Sequence, residues 1–447
     1  MSSAPWNLPL AQLSDLTAAR AQMSLSLGFH MIFAAIGIGL PLLLVIAEAR
    51  YLQTNRAHYL ALARKWAKAT GLLFAVGAVS GTALSFELGL LWPRYMEIAG
   101  AAVGHLFGLE GFAFFIEAIF IGLYLYGWDR LSPHGHWWCG VIIAVSGALS
   151  GVLVLGVNSW MQLPVGFEMD ANGRVIGTEP LAIFKTYAWW TMAVHSTLSC
   201  YIAVGFAGAS IYAWGWLKGL RDDYQKSAIA IPLVVGTIAA LLQPISGDLL
   251  GQFVHDTQPA KFAAMEAHFD TERYASIHIG GWPDVNTGEV HGAISIPGGL
   301  SFLATHSFSA EVKGLHDIPR DLWPNVPLTH IMFQIMVGLG TALMLVGVWF
   351  VWRSWRRKSQ WVESPWLLRA IVATGPMGFL ALEAGWMVTE VGRQPWVING
   401  YLKTEHAVTP QQNLIPYLIG FAALYTLLAV MVVVLLAFIR RNKPGGG

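Results

Sequence analysis

Apolar residues fill this chain in long unbroken runs rather than in alternation with polar ones. A membrane-crossing helix needs about 20 consecutive, mostly apolar residues. Nine stretches meet that length, at roughly 24–47, 70–92, 107–127, 137–158, 187–214, 228–250, 328–352, 368–388 and 413–438. The pattern predicts an all-α polytopic membrane bundle of nine transmembrane helices. An odd number of crossings sends the termini to opposite sides, and Lys and Arg select which. One set of connections carries Arg50, Arg56, Arg64, Lys65 and Lys68, then Arg130, then Lys218, Arg221 and Lys226. It continues with Arg353, Arg356, Arg357, Lys358 and Arg369, and ends with Arg440, Arg441 and Lys443. These are 17 of the 27 basic residues. They are expected on the cytoplasmic side, with the N-terminus outside and the C-terminus inside.

One connection is unlike the rest. Residues 251–327 form an outer segment of 77 residues rich in Gly, Pro and His, whereas the other links read as short. Connections beyond about 15 residues are uncommon and tend to be functional or disordered. The chain thus divides into helices 1–6 over residues 1–250, an outer loop over 251–327, and helices 7–9 with a cytoplasmic tail over 328–447.

Composition agrees with a bilayer. Hydrophobic residues make up 55% of the chain and charged ones 12%, against about 25% charged in soluble domains. A net charge of +1 carries no nucleic-acid footprint. Cys139 and Cys200 are the only cysteines and sit in or beside apolar runs, so neither a disulfide framework nor a zinc site is expected. The first 22 residues lack a basic region followed by an apolar core, so no cleavable signal is expected. Many of the 20 Trp, including Trp92, Trp137, Trp138 and Trp352, stand at span ends, as interfacial belts require.

Polar residues inside the spans carry the chemistry. The stretch from Leu380 to Trp396, LALEAGWMVTEVGRQPW, places Glu383 in an apolar run. A carboxylate there costs roughly 2.5–3.5 kcal/mol and needs a partner such as a haem iron. His30, His195 and Met336 stand in the first, fifth and seventh spans. Counted from the outer span ends, all four lie roughly 8–12 Å deep. Taken singly, a membrane histidine more often bonds a neighbouring helix, methionine is usually filler, and Glu383 would serve as a protonated structural group. Four potential iron ligands at one depth favour haem, because iron accepts His and a Met/His pair suits electron transfer. Glu110 and Glu117 are seven apart, close to two turns, and share one helix face. Carboxylates so placed suggest a proton path, with Glu110 alternatively interfacial. Glu87 either joins that polar cluster or snorkels to the interface. Lys261 and Glu266, in QPAKFAAMEAHFDT, read by themselves as part of an ordinary solvated segment.

The motifs RAQMSLSLGFH (20–30), GLEGFAFFIE (108–117), GWDRL (127–131), NSWMQLP (158–164), AVHS (193–196), IMVGLG (335–340) and EAGWMVTEVGRQPW (383–396) stand in one order along nearly the whole chain. In this the chain resembles subunit I of the cytochrome bd-type quinol oxidases, in the form with a short quinol loop. SFELGLLWP (85–93) resembles the branch called cyanide-insensitive. The resemblance implies two haems b, one low-spin and one high-spin, and one haem d or a haem b in its place. His195 and Met336 would be the axial pair of the low-spin haem. His30 and Glu383 would serve the two high-spin haems, in either assignment. Glu110 and Glu117 would deliver protons, and Lys261 and Glu266 would bind quinol in the outer loop.

The implied activity is oxidation of quinol at the outer face and reduction of O2 to water with cytoplasmic protons, building a proton motive force without pumping. Implied partners are a second membrane subunit, a small single-span subunit and the lipid of a bacterial cytoplasmic membrane. Two departures stand out. Gln334 replaces an Arg found in some members, which should change the charge beside the low-spin haem. Phe379 replaces a Trp, which alters any aromatic route between haems. The rival from another class is a proton-coupled transporter with a Glu/His relay, but it gives Met336 no role, and the paired broken helices such proteins often show are not evident. A dihaem electron-transfer subunit would need a second complete ligand pair.

Overall fold

The computed structural model describes residues 14–441, so Lys443 lies outside the described residues. Among the described residues, nine helical segments are long and apolar enough to cross a membrane. They are α1 (Asp15–Thr54), α2 (Ala57–Leu91), α3 (Pro93–Tyr126), α4 (Pro133–Gln162), α5 (Tyr187–Leu217) and α6 (Asp223–Thr257) in the first part of the chain. After the short α7 (Pro259–Glu266) and α8 (Gly299–Thr305) come α9 (Val326–Arg357), the pair α10 (Pro365–Ala373) and α11 (Met377–Val391), and α12 (Ile415–Arg441).

The helices outrun the apolar stretches. α1 has 40 residues, about 60 Å at 1.5 Å each, against a hydrocarbon layer of about 30 Å. Capping accounts for several ends. Ser14, Ser132, Thr186, Asp222 and Asn325 each accept from a backbone N–H two or three residues into the helix that follows. Pro at the first turn of α3, α4, α7, α9 and α10 uses a position whose N–H has no helical partner.

The eighth crossing is two helices, interrupted at Thr374-Gly375-Pro376. Proline removes a ladder bond and disfavours helix at the residue before it. α3 also breaks locally at Val103 (φ −129°, ψ 16°). Broken helices are therefore present, contrary to the sequence expectation.

Helices α1, α2, α4, α5 and α12 pack around one another with α1 at the centre, while α5, α6, α9, α10 and α11 form the second half. The long connection runs from Gln258 to Asn325, slightly shorter than 251–327, and carries α7, α8 and several two-stranded antiparallel ribbons. Two other connections at the same end are longer than the sequence suggested. Residues 163–186 contain a hairpin (Phe167–Met169 with Val175–Thr178), and residues 392–414 contain another (Trp396–Ile398 with Leu402–Lys403).

Candidate functional site

The two histidines are held in the same way. His30 Nδ1 lies 3.0 Å from Ser80 Oγ on α2, and that hydroxyl donates onward to the Gly77 carbonyl (3.0 Å). His195 Nδ1 lies 3.1 Å from Ser246 Oγ on α6, and that hydroxyl donates to the Gln243 carbonyl (2.9 Å). A serine whose proton is already given away can only accept, so in both cases Nδ1 carries the hydrogen. Nε2 is left with its lone pair outward, the form in which imidazole binds a metal. At His195 the Gln243 side-chain amide faces that lone pair at 3.1 Å.

The residue after each serine is glycine, and it makes room for the ring. A Cβ on Gly81 would stand 2.9 Å from His30 Cε1, and one on Gly247 would stand 3.4 Å from His195 Cε1. The other two candidates also face glycines. A Cβ on Gly385 would lie 2.8 Å from Met336 Sδ, and one on Gly28 would lie 3.4 Å from Glu383 Oε2. These contacts join α1 to α11 and α11 to α9. Gly39 of α1 packs on Cys200 and Val204 of α5, which sets His195 within about one helical turn of the level of His30. All four side chains therefore occupy one layer near the end that carries the long connection. Glu383 Oε1 is buried without a protein partner.

This donor set has the chemistry that haem iron accepts: two imidazoles, one thioether and one carboxylate with an unmet oxygen, each packed against a glycine of a neighbouring helix. A further buried group fits a haem's carboxylates. Arg393, 4% exposed, pairs with Glu390, yet its Nε and Nη1 have no partner. Asn158 donates to Glu390 Oε1 (2.7 Å). Sequence reasoning quoted Arg393 only as part of GRQPW. Its signal was an arginine just past an apolar helix.

Glu87 does not snorkel. It is 1% exposed, accepts from Ser26 (2.6 Å) and Tyr425 (3.4 Å), and sits one turn from His30 on the side of the long connection.

On α3, Glu110 and Glu117 do share a face, and Tyr124 extends it by seven more residues. Ser150 of α4 donates to Glu110 (3.2 Å). Glu117, 4% exposed, lies between Gly37 of α1 and Gly147 of α4, with Oε1 unpartnered. Tyr124 donates to Glu48 (2.6 Å), and His136 bridges Glu48 Oε1 (2.7 Å) and the Tyr124 carbonyl (2.9 Å). Glu48, Tyr124 and His136 are all buried. The sequence reading missed this cluster, although Tyr124 continues the seven-residue spacing.

Lys261 and Glu266 are not solvated. α7 is buried along Lys261–Glu266 because Phe262, Ala263, Ala264 and Met265 pack into two apolar clusters. Lys261 Nζ donates to Gln162 Oε1 and the Thr389 carbonyl (3.3 Å each), and does not pair with Glu266. Both Glu266 oxygens are buried without partners. Burial, reinforced by the Arg393 charge and partly offset by Glu390, pulls the Lys261 amine down to about 7. Burial lifts the Glu266 carboxyl to about 8.

Gln334 is engaged elsewhere than expected. Its amide accepts from Gly280 N and donates to the His278 carbonyl (2.9 Å each), so it ties the outer connection to α9. Phe379 packs beside Ile38, Cys200 and Leu382.

Comparison with known proteins finds relatives of one family. The family model for cytochrome bd terminal oxidase subunit I matches residues 18–444. A Bacillus subtilis protein provisionally named cytochrome bd menaquinol oxidase subunit I is 36% identical over 97% of this chain and 98% of its own. Cytochrome bd ubiquinol oxidase subunit 1 of Bacillus subtilis is 32% identical, covering 97% and 94%. The solved structure of bd oxidase from Geobacillus thermodenitrificans superposes with a TM-score of 0.90 at 36% identity, covering 96% of this chain and 99% of that one.

Proposed function

The chain belongs to the cytochrome bd terminal oxidase subunit I family, and from that premise we propose that His30, His195, Met336 and Glu383 hold its haems. The protein is a multi-pass membrane subunit of a quinol:O2 oxidoreductase. His195 and Met336 would hold a low-spin haem b. His30 and Glu383 would each hold one of two high-spin haems, a haem b and a haem d or second haem b. When bound, the haems supply the redox iron that carries electrons from quinol and the open iron that takes oxygen. The observation that carries the assignment is the matched pair of Ser-Gly steps that fix both imidazoles as Nδ1–H tautomers. Second-shell bonds of this kind orient metal-bound histidine and raise its basicity.

The remaining roles fall to the chain's own side chains. Lys261 and Glu266 bind quinol beside the long connection. Glu266 in its carboxylate form takes up a proton from the substrate and passes it to the outside. Arg393 and Gln162 have spare donors for haem carboxylates. From the opposite, cytoplasmic end, Glu48, His136 and Tyr124 admit protons to Glu117 and Glu110. Taking protons from one side and releasing them on the other builds a proton motive force without a pump. A second membrane subunit and a small single-span subunit complete the enzyme in a bacterial cytoplasmic membrane. The carboxylate stripe alone would also suit a proton-coupled transporter, but the glycine under Met336 Sδ and the serine-held histidines would then have no use.

Reduced-minus-oxidised spectra of the purified oxidase, with and without carbon monoxide, test this. The low-spin haem b bands should vanish in His195→Ala, and carbon monoxide binding should change in Glu383→Ala while the low-spin bands persist. A far-red chlorin band would identify haem d. A colourless, folded wild-type protein would leave the transporter.

A further inference from the structure

The outer connection contains an apolar face that a solvated loop would not keep. The ribbon of Ile277–Ile279 with Ile294–Ile296 pairs Ile279 with Ile294 and Ile277 with Ile296. A second ribbon follows at once, Trp282–Asp284 with Glu289–His291. Ile294 is 68% exposed, Trp282 59%, Ile279 49% and Ile296 47%. The tip beyond them is polar: Asp284, Asn286, Thr287 and Glu289. On its inner side, Val285 and Val290 pack with Ala263, Phe269 and Leu315 beside α7.

The depth of this ribbon follows from α9. Counting about 20 residues of bilayer-crossing helix back from Arg353 reaches Phe333, and the apolar run itself starts at Leu328, so Gln334 stands within the outermost two turns of the span. The Gln334 amide bonds His278 O and Gly280 N, which fixes the ribbon at that same level. Ile335 and Val337 beside it on α9 are exposed apolar residues of a membrane-crossing helix. On the side turned toward α9, Gln334 bonds the His278 C=O and the Gly280 N–H, and His330 Nε2 lies 3.2 Å from the Gly280 carbonyl. Unpaired backbone groups at that depth would each cost several kcal/mol.

We propose that the 277–296 ribbon is a membrane-contact surface, with Ile279, Trp282, Ile294 and Ile296 seated in the outer lipid interface and the Asp284–Glu289 tip in water. Tryptophan and branched apolar side chains are what an interface holds. The face continues the lipid-facing surface of α9 and divides the bilayer from the α7 helix.

The test uses the complete oxidase in lipid nanodiscs. Cys139 and Cys200 are buried, so a nitroxide label goes to an introduced cysteine, placed by Ile294→Cys, Trp282→Cys or Thr287→Cys, with unsubstituted protein as the labelling control. Oxygen partitions into lipid and a nickel chelate into water. Labels at Ile294 and Trp282 should collide several-fold more with oxygen than with the chelate, and the Thr287 label should show the reverse. Chelate access at Ile294 equal to that at Thr287 would overturn the proposal in favour of a solvated loop. Loss of access to both reagents would overturn it in favour of a face covered by protein. All three positions are on the surface, and retained haem spectra check that each variant is folded.

Discussion

The His30 and His195 sites are built alike and surrounded differently. Each imidazole is fixed by a Ser-Gly step on the neighbouring helix, Ser80-Gly81 or Ser246-Gly247. Around His195 the ring also meets the Gln243 side-chain amide and no carboxylate bonds it, and its proposed partner on the haem is the Met336 thioether. Around His30 stand Glu383 across from Gly28 and Glu87 bonded to Ser26. A thioether and an imidazole together fill an iron's axial positions and suit electron transfer. Carboxylates near an imidazole suit chemistry that consumes protons. Under the proposed assignment, the same holder with different neighbours would separate electron entry from oxygen reduction.

Removing the ligands should break this comparison most. In His30→Ala, oxygen consumption should fall by roughly 100-fold or more, since even outer-shell changes cost about 10–100-fold, while quinol still reduces the low-spin haem. In His195→Ala that reduction should be lost. An oxygen electrode and stopped-flow spectra separate the two. Next come the serines: Ser80→Ala and Ser246→Ala should each lower haem retention or activity about 10-fold. Each should act on its own haem, read as haem content per protein. Smaller still, Gly81→Ala should hurt more than Gly247→Ala, because the added methyl meets the ring at 2.9 Å in one case and 3.4 Å in the other. Overpacking of this size costs about 1–3 kcal/mol, seen as a lower thermal midpoint.

The nine crossings among the described residues were legible in the sequence, because apolar length is a direct consequence of the bilayer. The layer of His30, His195, Met336 and Glu383 could be named from helical rise alone. The Ser-Gly steps could not be assigned, since a serine in a membrane helix usually bonds its own backbone and only the neighbouring helix reveals the histidine. Burial of α7 was hidden for a similar reason. PAKFAAME looks solvated until Leu315, Val326 and Phe253 close over it. The break before α11 had a local signal in Gly375-Pro376, which apolar length overrode. Gln334 was read by family position, but its bonds to His278 and Gly280 come from a segment about 55 residues away.

The smallest effects concern Lys261 and Glu266. Burial keeps the Glu266 proton on up to about pH 8. The stability of that neutral form is present below the ordinary carboxyl value and is lost as pH rises toward 8. Lys261 runs the other way, since its amine sheds its proton near 7 when folded, and its contribution to stability grows as pH climbs from 7 toward its ordinary value. Glu266→Gln should therefore remove the decline of the thermal midpoint between about pH 5 and 8. It should also remove any rise in quinol oxidation rate near pH 8.

The central claim is that Met336 and His195 share one iron while His30 and Glu383 do not complete such a pair. Near-infrared magnetic circular dichroism of the oxidised enzyme tests it most directly, because thioether ligation gives a sulfur-to-iron charge-transfer band. The account predicts that band in the wild type. Met336→His should lose it, keep a low-spin haem, and leave carbon monoxide binding unchanged. A band that survives in Met336→His, or a wild type without one, would contradict the account.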